Sequence, residues 1–179
     1  PPQPPGMWRA AFNGADRKWK TSEGEDRYRR GLYTFWRRSV PYPSMATFDA
    51  PSREVCNVRR IRTNTPLQAF VTLNDPVYVE IAQALARRIV TEGGDSDADR
   101  LDFALRLVQV RPPTEGETKT VMALLRDEIA HFRSDPENAR TFATSEIETV
   151  PDGVGLAELA AWTSVANILL NLDSVLTKS

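Results

Sequence analysis

An all-α fold is what this sequence predicts, an irregular multi-helix bundle with an extended, loop-rich N-terminal third. Three observations carry that expectation. Beyond Thr65 the apolar residues recur at spacings of three and four, the period of a helix with one buried face. The segments so patterned are separated by Pro, Gly and cap residues in helix-boundary order, and no stretch alternates as a half-buried strand would. The first residues, Pro1-Pro2-Gln3-Pro4-Pro5-Gly6, lack the backbone donors that any regular element needs.

Taken in order, residues 1–24 read as an extended Pro-rich arm. Trp8, Phe12 and Trp19 are scattered through it, and rings of this size are expected to anchor the arm to the body. From Glu25 to Val40 the spacing of Tyr28, Leu32 and Phe35, widened by Trp36, predicts a helix that Pro41 and Pro43 stop. Ser44 to Val58 reads as irregular, with a turn at Asp49-Ala50-Pro51-Ser52. Thr65-Pro66 is an N-cap followed by Pro at the first helical position, opening a short helix to Leu73 that would bury Leu67, Phe70 and Val71. Asp75-Pro76 repeats the signal for a helix to about Thr91, burying Val79, Ala82, Leu85, Ala86 and Ile89, with Gly93-Gly94 as its end. A helix over Ser96–Val110 follows, its face made by Leu101, Ala104, Leu105 and Val108. Thr114 and Glu117 form a capping box for a helix to about Ser134 that carries Val121, Leu124, Leu125, Ile129 and Phe132. Asp135-Pro136 starts a short helix to about Ala143, and Thr144–Gly155 is a polar loop. The last helix, from Leu156 to about Asn171, is apolar through Leu159, Ala160, Val165, Ile168 and Leu169. Residues 25–179 are thus expected to form a single helical domain.

Composition removes several classes of chemistry. The one cysteine, Cys56, and the one histidine, His131, cannot supply an internal disulfide, a thiol-only or multi-histidine metal centre, or a haem-attachment pair. No metal and no cofactor is expected. Cys56 reads as a small buried hydrophobe and His131 as an exposed helix residue. Asp95, Asp97, Asp99 and Asp102 lack the Gly and terminal Glu of a calcium loop, so they read as the acidic start of a helix. No apolar run is long enough to span a membrane. The start without Met suggests a fragment of a longer protein or a processed product.

Net charge is -1, but it is unevenly placed. Between Arg17 and Arg62 there are twelve Lys or Arg against five Asp or Glu, and from Thr63 onward ten against eighteen. Either the two halves pair, or the first presents a basic binding face. Arg29, Arg30, Arg37 and Arg38, with Tyr33 and Trp36 among them, fit a solvated or acid-paired face or a polyanion surface. No nucleic-acid recognition motif accompanies them, so nucleic acid is the weakest of the partner readings.

The densest motif runs Phe48-Asp49-Ala50-Pro51-Ser52-Arg53-Glu54-Val55-Cys56 and then Arg59-Arg60-Ile61-Arg62-Thr63-Asn64-Thr65-Pro66-Leu67-Gln68-Ala69-Phe70, ending at Leu73-Asn74-Asp75-Pro76. With Arg30-Gly31-Leu32-Tyr33-Thr34-Phe35-Trp36 upstream, it resembles the PSD-type C-terminal domain of unknown function of large planctomycete proteins. Ala161-Trp162-Thr163-Ser164-Val165-Ala166-Asn167 and Leu170-Asn171-Leu172-Asp173 look like that family's closing segment. The resemblance implies an extracytoplasmic, multidomain parent protein, often with a cytochrome-c-like domain ahead of this part and a neighbourhood of polysaccharide breakdown. The chain looks like the C-terminal portion of the family's domain. The partners so implied are the parent's other domains and an anionic polysaccharide.

Asp49, Arg53, Arg60, Asn64 and Thr65 are the candidate ligand-binding residues. They flank an irregular loop that feeds a helix N-terminus, whose amides and partial positive charge suit a sulfate or carboxylate. The same residues equally serve as loop staples and caps. The expected function is an accessory, non-catalytic helical module that engages an anionic polysaccharide. The alternative is part of a polysaccharide-acting enzyme, with Asp49 as acid or base and a site completed outside the chain.

Overall fold

A computed structural model describes residues 3, 6–7, 19–59 and 63–176. The fold is all-α. The chain divides into two compact units, Pro1–Thr63 and Asn64–Ser179. The sequence reading of an arm over 1–24 and one body over 25–179 does not draw this boundary. Among the described residues the only β-type pairing is an isolated bridge between Arg37 and Val40.

The second unit follows the sequence closely. Its helices are α2 (Pro66–Asn74), α3 (Pro76–Glu92), α4 (Asp97–Gln109), α5 (Glu115–Ser134), α6 (Pro136–Thr144), α7 (Leu156–Leu170) and α8 (Asp173–Leu176), after α1 (Pro43–Thr47) in the first unit. The starts of α2 to α6 are fixed locally by side-chain caps. Asp75 accepts from the Val77 amide, Ser96 from that of Asp99, and Asp135 from that of Asn138. Thr65 with Gln68 and Thr114 with Glu117 make full capping boxes. At the end of α3 two glycines are needed for different reasons. Gly94 has φ +98°, and a Cβ on Gly93 would sit 2.4 Å from the Ile89 carbonyl oxygen and 2.9 Å from the Arg100 Cα.

Helix α7 is the axis of this unit, packing against α2, α3, α4, α5 and α6. It is buried nearly all round, with Leu159, Ala160, Trp162, Val165, Ala166 and Leu169 in the core. The small residues let neighbours approach, and Trp162 fills the remaining volume. Its two buried polar side chains find backbone acceptors, Thr163 on Leu159 (2.8 Å) and Asn167 on Leu73 (3.4 Å). Arg100 on α4 reaches Glu158 on α7 at 2.7 Å. Ile168, one of the apolar residues of this helix, is exposed.

Glu117 shows how much one cap can gather. Its carboxylate takes both Arg111 terminal nitrogens (2.6 and 3.0 Å) and the amide and hydroxyl of Thr114 (both 2.8 Å). The Arg111 bond above all, then the Thr114 amide and hydroxyl, hold its carboxyl far below the usual carboxylate range. A depressed folded value means stability that is present above about pH 4.3, the unfolded value, and lost as pH falls towards the folded one. The melting-temperature gap between wild type and Glu117→Gln is therefore expected to be widest near neutrality. It should shrink steadily below about pH 4 in thermal melts.

The first unit departs from the sequence reading. The helix expected over Glu25–Val40 does not form. In its place are two short 3-10 turns, Gly24–Tyr28 and Gly31–Tyr33, joined by extended backbone at Arg29 and Arg30. Gly31 interrupts the stretch, and Tyr33-Thr34-Phe35-Trp36 is an aromatic and β-branched run of weak helix propensity. A helix of this length needs a packed face to persist, and Tyr28, Leu32 and Phe35 are all exposed. Within the segment expected to be irregular, Pro43 at a first helical position opens α1. Trp8 and Phe12 of the proposed arm lie outside the described residues; Trp19 stands 6.3 Å, ring to ring, from Phe35.

Candidate functional site

Three of the five candidate residues, Asp49, Arg53 and Arg60, belong to the first unit, and the first two are described. Helix α1 ends in a Schellman arrangement: the Ala50 amide bonds the Met45 carbonyl (2.9 Å) and the Asp49 amide that of Ala46 (3.2 Å). That motif requires a left-handed residue, and Asp49 takes it with φ +59°. Aspartate tolerates this conformation better than most residues other than glycine. The turn aims the Asp49 carboxylate at Thr63, whose amide and hydroxyl both donate to it at 2.8 Å. Asp49 thus ties one end of the intervening loop to the other. Residues 52–59 between them are all exposed. Arg53, also left-handed (φ +63°), holds its guanidinium over the Trp36 ring, 5.4 Å from the centroid.

Arg60 lies outside the described residues. Asn64 and Thr65 belong to the second unit, where each has a structural partner. The Asn64 amide donates to the Asp173 carboxylate at 2.6 Å, fastening the start of α2 to α8. The Thr65 hydroxyl accepts from the Gln68 amide (3.3 Å), and the Gln68 side chain accepts from the Thr65 amide (2.9 Å). Pro66 has no donor, so much of the N-terminal potential of α2 is spent on its own capping box. The five residues therefore fall on both sides of the unit boundary, and each of the four described ones does local structural work.

Helix α2 also corrects the expected core. Leu67 and Phe70 are exposed, while Gln68 and Thr72 are buried. The Thr72 hydroxyl donates to Asn171 at 2.6 Å, just past α7. The Thr72 bond to the segment after α7 thus goes with a polar face of this short helix pointing inward. Cys56, expected to be buried, is exposed because it sits in the protruding loop. His131 is exposed, as expected. In the acidic run, Asp97 and Asp99 lie in the first turn of α4 and Asp102 pairs with Arg106 at 2.6 Å. Among the described residues no group of His, Cys, Asp and Glu is arranged to hold a metal, and no helix is long and apolar enough to cross a membrane.

The Asp49 clamp makes its own prediction. Asp49→Ala removes the acceptor for Thr63 and places alanine in a left-handed conformation. Trypsin is expected to cut after Arg53 or Arg59 several-fold faster than in wild type, with the helices of the second unit unchanged by circular dichroism. Asp49→Asn, which keeps an acceptor and tolerates the conformation, should fall close to wild type.

The loop, the clamp and α2 lie within a stretch shared with other proteins. The family described as PSD1, protein of unknown function (DUF1553), matches residues 1–125. The closing segment around Trp162 lies beyond the matched residues. No curated protein and no solved structure matches the chain. A match over this much of the sequence makes the chain a member of the PSD1 family of proteins of unknown function.

Proposed function

We propose that this chain is a non-catalytic, accessory helical module of an extracytoplasmic multidomain protein, and that its first unit engages an anionic polysaccharide. The observation that carries this reading is Arg53, held over the Trp36 ring on an exposed loop of a strongly basic unit. Residues 1–63 hold thirteen Lys or Arg against six Asp or Glu, about +7, while residues 64–179 hold ten against eighteen. A guanidinium fixed against an indole offers the planar fork that binds sulfate or carboxylate. Asp49 serves as the clamp that holds this loop in shape, which favours binding over acid–base chemistry. The placement outside the cytoplasm and the polysaccharide context rest on the resemblance to the planctomycete proteins.

The test is binding of the purified chain to sulfated glycans, neutral glycans and DNA, each at low and high salt. Selective retention of the sulfated glycan at moderate salt is expected, with a loss of at least about tenfold in the Arg53→Ala, Arg60→Ala double variant. Wild-type affinity in that variant, or equal salt-sensitive binding to every polyanion, would sink the reading.

A further inference from the structure

A different part of the first unit carries a second interaction, independent of the glycan reading. Between Arg27 and Phe35 the chain exposes Tyr28, Leu32, Tyr33 and Phe35 by 60% to 74% of their surface, in only nine residues. Isolated exposed hydrophobes are ordinary, but four large ones this close are not. Arg27, Arg29 and Arg30 alternate with them, and Arg37 and Arg38 follow. The acids of the stretch, Glu23, Glu25 and Asp26, lie upstream, and Asp26 pairs with Arg29 at 2.6 Å. The guanidinium groups of Arg27 and Arg30 lie over the Tyr28 and Tyr33 rings, each 5.9 Å from the centroid.

We infer that this segment docks on an anionic lipid surface. Its charge complements such a surface, and its apolar groups discriminate among anionic partners. A sulfated glycan or a phosphate backbone gains nothing from an exposed aliphatic side chain such as Leu32, whereas the headgroup–acyl boundary takes up Leu32 and Phe35 alike. Arginine, tyrosine and phenylalanine also suit a protein interface, so failure to bind vesicles would point to a protein partner instead. Tyrosine, with an apolar ring and a polar tip, suits the depth of the interface, and arginine stems reach past apolar groups to lipid phosphates. The contact is peripheral, made by a short segment lying on the membrane.

The experiment is sedimentation of the full chain with vesicles of phosphatidylcholine alone and of phosphatidylcholine mixed with phosphatidylglycerol. Binding to the mixed vesicles and little to the neutral ones is expected. The Arg27→Gln, Arg29→Gln, Arg30→Gln variant should lose about a hundredfold in partitioning, at roughly fivefold for each charge near an anionic surface. Leu32→Ser with Phe35→Ser should lose at least about tenfold while keeping the arginines. All five positions are exposed, so the helical content of every variant should stay that of wild type. Arg53→Ala should bind vesicles like wild type, which separates this surface from the glycan site. Failure to sediment with the mixed vesicles overturns the inference. So does binding that the Leu32 and Phe35 changes leave intact, since that would be attraction to any polyanion.

Discussion

Trp162→Ala is expected to cost the second unit about 3–5 kcal/mol, a large share of its stability. Trp162 is fully buried at the middle of α7, the helix against which five others pack. Removing its side chain opens a cavity that rigid neighbours fill only partly, and total stabilities of such domains are only about 5–15 kcal/mol. A sharply lowered urea midpoint, followed by far-ultraviolet circular dichroism, is the readout. Trp162→Phe makes the contrast sharp. The indole nitrogen is buried without a hydrogen-bond partner, so phenylalanine gives up packing area but also removes an unsatisfied donor. Its cost should be well under half that of alanine. Equal costs would mean that the ring is not packed as described.

The second large effect is expected at Gln83, a fully buried amide on α3. Its nitrogen donates to the Phe142 carbonyl (2.8 Å) and the Ser145 hydroxyl (3.0 Å), and its oxygen accepts from the amides of Glu146 (3.2 Å) and Ile147 (2.9 Å). One turn on, Arg87 gives its guanidinium to the carbonyls of Gln83, Ala143, Ile147 and Thr149 at 2.6 to 3.0 Å. Burial pushes this guanidinium below its ordinary value, and the acceptors that hold it are uncharged carbonyls. Together the two side chains fasten the end of α6 and the following loop to α3. Gln83→Leu strands several of these groups at once, so a loss of about 2–4 kcal/mol is expected. Hydrogen exchange should show amides 143–149 opening before the rest of the unit. Protection of that segment at the wild-type level would refute the clamp.

Neither effect could be read from the sequence with confidence in its size. Trp162 was legible as a member of an apolar helix, but not as its largest fully buried side chain. Gln83 is a polar residue among Ala82, Leu85 and Ala86, and nothing local says that its amide will meet a loop some sixty residues away. The candidate site shows the same limit. Asp49 stands out by motif density, but its clamp on Thr63 is not written in its neighbours, whereas the Thr65 cap on Gln68 is.

The sequence by itself determined the six helices from α2 to α7, and where they begin and end to within a residue or two, but not the short α8. Those limits are set by Thr65-Pro66, Asp75-Pro76, Gly93-Gly94, Thr114 with Glu117, and Asp135-Pro136. Caps, prolines and glycines act through one or two neighbouring backbone groups, so their effect is written within a few residues. Only the tertiary structure decided that α2 turns Gln68 and Thr72 inward and Leu67 and Phe70 outward. It alone decided that the helical period over Glu25–Val40 yields no helix, and that the chain divides after Thr63. Apolar spacing says which face a segment can bury. Whether that face is buried depends on surfaces supplied by distant parts of the chain.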